Sequence, residues 1–157
     1  MATIKKKPNG YGQFGGFSPF GNSTTLLFAL ATNATGAVID SDSTAAVASG
    51  DVIDLGELPA GMRLDDAQIL IKTGMTATVT GSLGFEYVDG DSTEVPQDAA
   101  YFINAGDLAT AGRLRANTGK LVTLPKAARL ILTTGGAANA KASDIKVIVS
   151  GELTGPR

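Results

Sequence analysis

The sequence contains no cysteine and no histidine. Without cysteine there is no disulfide framework, thiol nucleophile or thiolate metal site, and either redox compartment is open to the chain. Without histidine, a Ser-His-Asp triad, a Cys-His dyad and the usual zinc sites are excluded too. Any catalysis would rest on carboxylates. Asp65 with Asp66, or Asp51 with Asp54, could in form supply an acid and a base, but neighbours in a strand point to opposite faces. The chain therefore reads as non-enzymatic, with no cofactor and no metal.

Long apolar runs are missing as well. The longest, Leu26 to Ala31, is far short of the roughly 20 residues a membrane-spanning helix needs, so no membrane is expected. A formal charge of -2 and a pI near 5.0 give no electrostatic footprint for DNA or RNA. After Lys5-Lys6-Lys7 come Pro8-Asn9-Gly10 and a glycine-rich tract, not the apolar core of a secretory signal, and cytoplasmic synthesis is expected. Asn22-Ser23-Thr24 and Asn33-Ala34-Thr35 match the glycosylation triplet and, without a secretion signal, read as chance. Gly10-x-Gly12 and Gly15-Gly16 neither follow a strand nor open a helix, as a phosphate cradle requires. Asp89-x-Asp91-x-x-Glu94 and Asp40-x-Asp42 offer hard oxygen ligands suited to calcium. Neither completes an EF-hand, and both read as solvated turns.

What is present is β-patterning. Residues 51–88 read as a strand, a Pro59-Ala60-Gly61 corner and two long strands. In the last of these Ala77, Val79, Gly81, Leu83, Phe85 and Tyr87 alternate with polar or small residues, the period of a strand with one wet face. The strand before it sets Ala67, Ile69 and Ile71 against Asp66, Gln68 and Lys72, with Leu70 out of phase. The two are expected to pair as a hairpin across Thr73-Gly74-Met75. Further strands are read at 24–31, 37–40, 120–124, 128–134 and 144–153, the last two joined by a hairpin loop at Gly135 to Ala142. Residues 98–115 read as a loop with a short helical turn capped by Asp98. About eight short strands in a chain of 157 residues imply one all-β domain, a two-sheet antiparallel β-sandwich of jelly-roll type.

Residues 1–24 differ in kind from the domain at 25–157. They are rich in glycine, poor in aliphatics, and carry Tyr11, Phe14, Phe17 and Phe20 at intervals of three. Gly15-Gly16 and Pro19 oppose a helix. In an extended polyproline-II ribbon, at three residues per turn, all four rings would line one edge. Such a stripe needs a cover: an N-terminal arm of this kind either folds back on its own domain or grips a neighbouring subunit. Lys5, Lys6 and Lys7 are either part of that grip or a solvated tail.

The segment Ile53-Asp-Leu-Gly-Glu-Leu-Pro-Ala-Gly61 resembles the strand and corner of tailed-bacteriophage virion proteins. So do Ser82-Leu83-Gly84, Tyr101-Phe102 with Asp107 to Gly112, and the closing strands Leu130 to Leu153. The likeness spans roughly residues 50 to 153 and not the arm. It is to the jelly-roll decoration, or cement, proteins of phage heads. The resemblance implies a structural protein made in the bacterial cytoplasm that sits on the capsid surface, contacts the major capsid protein, associates with itself as a trimer and bridges capsid subunits. The rival reading is a receptor- or carbohydrate-binding module of a phage tail or fibre, or another head-tail component, since jelly rolls also serve as lectins.

Overall fold

The computed structural model describes residues 2–5 and 23–153. They contain strands and turns and no helix. The strands are β1 (Thr3–Lys5), β2 (Ser23–Thr32), β3 (Val52–Leu58), β4 (Met62–Thr73), β5 (Thr80–Tyr87), β6 (Asp98–Asp107), β7 (Gly112–Arg115), β8 (Val122–Thr123), β9 (Ala128–Gly135) and β10 (Ser143–Leu153). Sheet A runs β1-β3-β9-β5-β6, and sheet B runs β2-β10-β4-β7 with β8 also on β4. Every pairing is antiparallel except β1 with β3.

The pairs nest. β2 lies against β10, β3 against β9, β4 against β7 and β8, and β5 against β6. This is one long antiparallel hairpin rolled over two sheets, the jelly-roll arrangement. Rolling explains two departures from the sequence reading. β4 and β5 are not a hairpin, nor are β9 and β10, because each connection carries the chain from one sheet to the other. Turn residues announce that a strand ends; they do not say which partner the next strand takes.

Between the sheets, Met62, Leu64, Ala67, Ile69 and Ile71 of β4 and Ile145, Val147 and Val149 of β10 meet Ile53, Leu83, Phe85, Leu130 and Leu132 of sheet A, all buried. Leu70 keeps the phase of the strand and lies on its outward side, in register with Lys146 and Arg113. β4 has one residue too many opposite Ser150-Gly151, which pair with Asp66 and Leu64 and leave Asp65 as a bulge. A bulge resets the two-residue period. It also turns both Asp65 and Asp66 away from the core, contrary to the opposite faces expected. Each carboxylate is held by an arginine, Arg63 to Asp65 at 2.6 Å and Arg115 to Asp66 at 2.6 Å.

Residues 98–115 form β6 and β7 instead of a loop with a helical turn. Asp98 does accept a backbone bond, from Ala100 N at 3.0 Å, but it opens a strand. Tyr101, Phe102 and Ile103 are all buried, which breaks the alternation that would have marked β6. Register shifts on both sides of Leu83 allow this, and Tyr101 stacks edge-on to Phe102 and Phe85 at 4.7 and 5.3 Å. At Gly84 the β6 backbone passes so close that an added Cβ would stand 2.0 Å from Asp98 O. The expected strand at 37–40 is reduced to isolated bridges, Thr32 with Val38 and Ala37 with Ala46, and that at 120–124 to β8.

One end of the sandwich is closed by a polar knot around Asn139, which is 1% exposed. Its Oδ1 accepts from Thr76 N and Oγ1 at 3.0 and 3.2 Å, and its Nδ2 donates to Thr32 Oγ1 at 3.0 Å and Lys141 O at 2.9 Å. Gly36, at φ 86°, lies against it, with room for no side chain: a Cβ there would meet Asn139 O at 2.0 Å.

Candidate interaction surfaces

Of the residues singled out for partner binding, Lys6, Lys7, Tyr11, Phe14, Phe17 and Phe20 lie outside the described residues. Lys5 is placed. It ends β1, an edge strand of sheet A whose Ile4 is buried in the core. Residues 3–5, assigned to the arm by composition, are thus a strand of the body; the single aliphatic Ile4 supplies the anchor. Asp51 fastens the strand, its Oδ1 accepting from Ala2 N at 3.1 Å and its Oδ2 from Ala48 N at 2.8 Å. Val52 N donates to Ala2 O at 3.1 Å, and Asp42 closes the outer side: its Oδ1 accepts from Lys5 N at 3.0 Å and its amide donates to Lys5 O at 3.0 Å. Thr24, at the other boundary of the expected arm, already belongs to β2. The described residues on either side of 6–22 thus belong to a strand of sheet A and a strand of sheet B.

The wet face of sheet A beside Lys5 is well shielded. Ile131 points outward from β9 yet is 3% exposed and stands apart from the core cluster. Thr133 Oγ1, two residues on, is buried without a hydrogen-bond partner among the described residues. Asp54, whose register partners are Lys5 and Ile131, is pushed upward in pKa by burial, against the opposing charge of Arg129 at 3.1 Å, the Gly56 N–H bond and the charge of Lys5. Asp51 and Asp54 are therefore both engaged by groups of the fold itself.

The loop flagged for calcium is organised around an internal cation. Lys126 Nζ sits 3.0 Å from Asp89 Oδ1, 2.6 Å from Gly90 O and 3.3 Å from Asp91 O, and 5.0 Å from the centroid of Tyr87. Asp91 Oδ1 accepts from Ser92 N and Gln97 N, both at 2.8 Å. These bonds hold its carboxyl below the ordinary range, that from Gln97 most. No group of three or more ligating side chains with metal-site geometry occurs among the described residues. The sequence picked out the carboxylates of the loop but not this cation, since Lys126 lies far along the chain.

The wet face of sheet B mixes apolar and charged residues. Register places Ala29, Lys146, Leu70 and Arg113 in one row, with Leu27, 53% exposed, in the row beside it. A shallow depression of about 470 Å³ opens next to Leu70. Apolar side chains on an outward face had no signal in the sequence beyond the misplaced Leu70.

No family model matches the chain, and no curated protein matches it. Solved structures do. A chain in the capsid of Ralstonia phage GP4 superposes with a TM-score of 0.61 at 15% identity over 99% of both chains. One in the capsid asymmetric unit of cyanophage Pam1 gives 0.58 at 18% identity over 86% of this chain and 88% of that one. One in the acidic stable capsid structure of Helicobacter pylori bacteriophage KHP30 gives 0.53 at 17%, covering 85% and 91%. At these identities the likeness establishes a shared fold.

Proposed function

We propose that this chain is a non-enzymatic structural protein of a bacteriophage virion, which binds the outside of an assembled capsid and stabilises it by bridging capsid subunits. One observation carries the reading: its fold recurs, over 85 to 99% of its length, in chains of three phage capsid structures. The carboxylate pairs that could have argued for catalysis are engaged in ion pairs and backbone bonds, which supports a structural role. In this reading the partners are the major capsid protein and further copies of the chain, as a trimer, on the capsid surface.

Residues 6–22 supply the grip. Tyr11, Phe14, Phe17 and Phe20 bury apolar surface against a neighbouring subunit, each ring contributing roughly 1.5 to 3 kcal/mol if fully covered, while Lys5, Lys6 and Lys7 meet acidic groups at its rim. The test is co-sedimentation of the purified chain with assembled heads of the phage that encodes it, lacking this protein. Bound chain that raises the temperature at which the heads rupture supports the reading, and a version with all four rings changed to serine should stay in the supernatant. Heads that neither bind the chain nor gain heat resistance would overturn it.

A further inference from the structure

Asp89-Gly90 is the only aspartyl-glycine pair in the chain, and the turn it sits in favours glycine. Residue 90 has a φ of 96°, a conformation that glycine adopts without steric cost. The same glycine leaves its own amide nitrogen open to the preceding side chain, since a Cβ built there would meet nothing within 4 Å among the described residues. The Asp89 side chain is 73% exposed, so water reaches it.

Such a pair carries its own chemistry. The Gly90 nitrogen attacks Cγ of the protonated Asp89 carboxyl and closes a five-membered succinimide ring, while the hydroxyl of the acid and the amide proton leave as water. Water then adds back to one of the two ring carbonyls. Breaking the bond between Cγ and nitrogen restores aspartate. Breaking the bond between the main-chain carbonyl carbon and nitrogen leaves isoaspartate, with the chain now running through Cβ and Cγ.

Two conditions govern ring closure. The carboxyl must be protonated, because a carboxylate has no hydroxyl to lose, and Cγ must be free to approach the nitrogen. Lys126 opposes both. Its ammonium stands 3.0 Å from Asp89 Oδ1, which favours the charged carboxylate. It also donates to Gly90 O at 2.6 Å and Asp91 O at 3.3 Å, so the carboxylate and the residue bearing the nitrogen are pinned to one group. Tyr87, whose ring centroid lies 5.0 Å from Nζ, backs that group.

We propose that Asp89 is a site of spontaneous isoaspartate formation and that the charge of Lys126 restrains it. Ageing the full chain at neutral pH tests this, followed by peptide mapping with a protease that cuts before aspartate and not before isoaspartate. Asn9-Gly10, which ages by a related route, is read apart because its product changes mass and that of Asp89 does not. Lys126→Met, with Lys126→Gln as a second neutral variant, should raise the product at 89 about two- to fivefold, the range that loss of an exposed ion pair allows. Lys126→Arg should keep the native rate. Circular dichroism melting checks that each variant folds. Where the neutral variants do not, the native chain in denaturant takes their place and should form the product faster than the folded chain. Equal rates in the native chain and the neutral variants, or in the folded and denatured chain, overturn the restraint, as does a Lys126→Arg chain that ages like the neutral variants. Absence of isoaspartate at 89 in every case overturns the site.

Discussion

The ammonium of Lys126 occupies the oxygen-lined turn that begins at Asp89, at 3.0 Å from its carboxylate. A side chain thus does in this loop what the spacing of its acidic residues suggested for a calcium ion. Replacing Lys126 by methionine keeps the stem over Tyr87 and removes the charge. The expected outcome is faster hydrogen exchange at Gln97 and Ser92, whose amides bond Asp91, with little change in the global melting point, since exposed ion pairs contribute little. Unchanged exchange across 88–97 would show that Asp91 orders the loop unaided.

Asp51 holds β1 by two backbone bonds from opposite sides, Ala2 N and Ala48 N. Changing it to alanine removes the acceptor of two part-buried bonds, worth about 0.5 to 1.5 kcal/mol each, and should release Thr3 to Lys5 before the sandwich melts. Ile4 would then lose its protection from exchange while Ile69 and Val147 keep theirs. In the capsid reading the same variant binds heads less tightly, because β1 and its Lys5 are no longer held in place. Equal loss of protection at all three positions would mean that β1 is an integral part of the fold unit.

The strands were legible where the chain alternates cleanly, as in β5 and β10, because period two follows from strand geometry alone. β6 was not, since Tyr101, Phe102 and Ile103 are buried together and Ala105 adopts a φ of 48°, neither of which leaves a period. Pairing was hidden for another reason. Gly74 and Gly136 resemble hairpin turns, yet they mark crossings between sheets that only the packing of distant β10 and β9 enforces. Of the candidate contact residues the sequence picked out Lys5 but not its neighbours in space, Asp54 and Ile131, which lie far along the chain.

Asn139 is a fourfold joint between loops, and its amide cannot be replaced by a carboxylate. Asn139→Asp keeps the acceptor for Thr76 but removes the donor to Thr32 Oγ1 and Lys141 O, and it sets a charge against carbonyl oxygens. Asn139→Ala should cost about 2 to 3 kcal/mol from stranded polar groups, and the aspartate variant more above its pKa. Denaturant titration at neutral pH and again near pH 4 checks the sign. The aspartate variant should recover toward the alanine value as it protonates, and a gap that does not narrow would contradict the desolvation argument.

Acid acts on Asp54 and Asp91 in opposite senses. Burial raises Asp54 despite Arg129, so the folded protein takes up its proton before the unfolded chain does, and this carboxylate disfavours folding at neutral pH by an amount that fades as the pH falls through its folded pKa. The amide bonds from Gln97 and Ser92 lower Asp91, so its stabilisation is present above the ordinary value of about 3.9 and is lost as the pH falls through the folded pKa beneath it. Asp107 and Asp144 follow Asp91, drawn down chiefly by bonds from Thr110 and Lys146. Carboxyl-carbon NMR should therefore show Asp54 titrating first on acidification, and Asp91, Asp107 and Asp144 after it. Stability should fall only below about pH 4, where the larger group of lowered carboxylates protonates. Asp54 titrating together with Asp91 would mean that solvent reaches the face around Ile131, and that its shielding does not persist in solution.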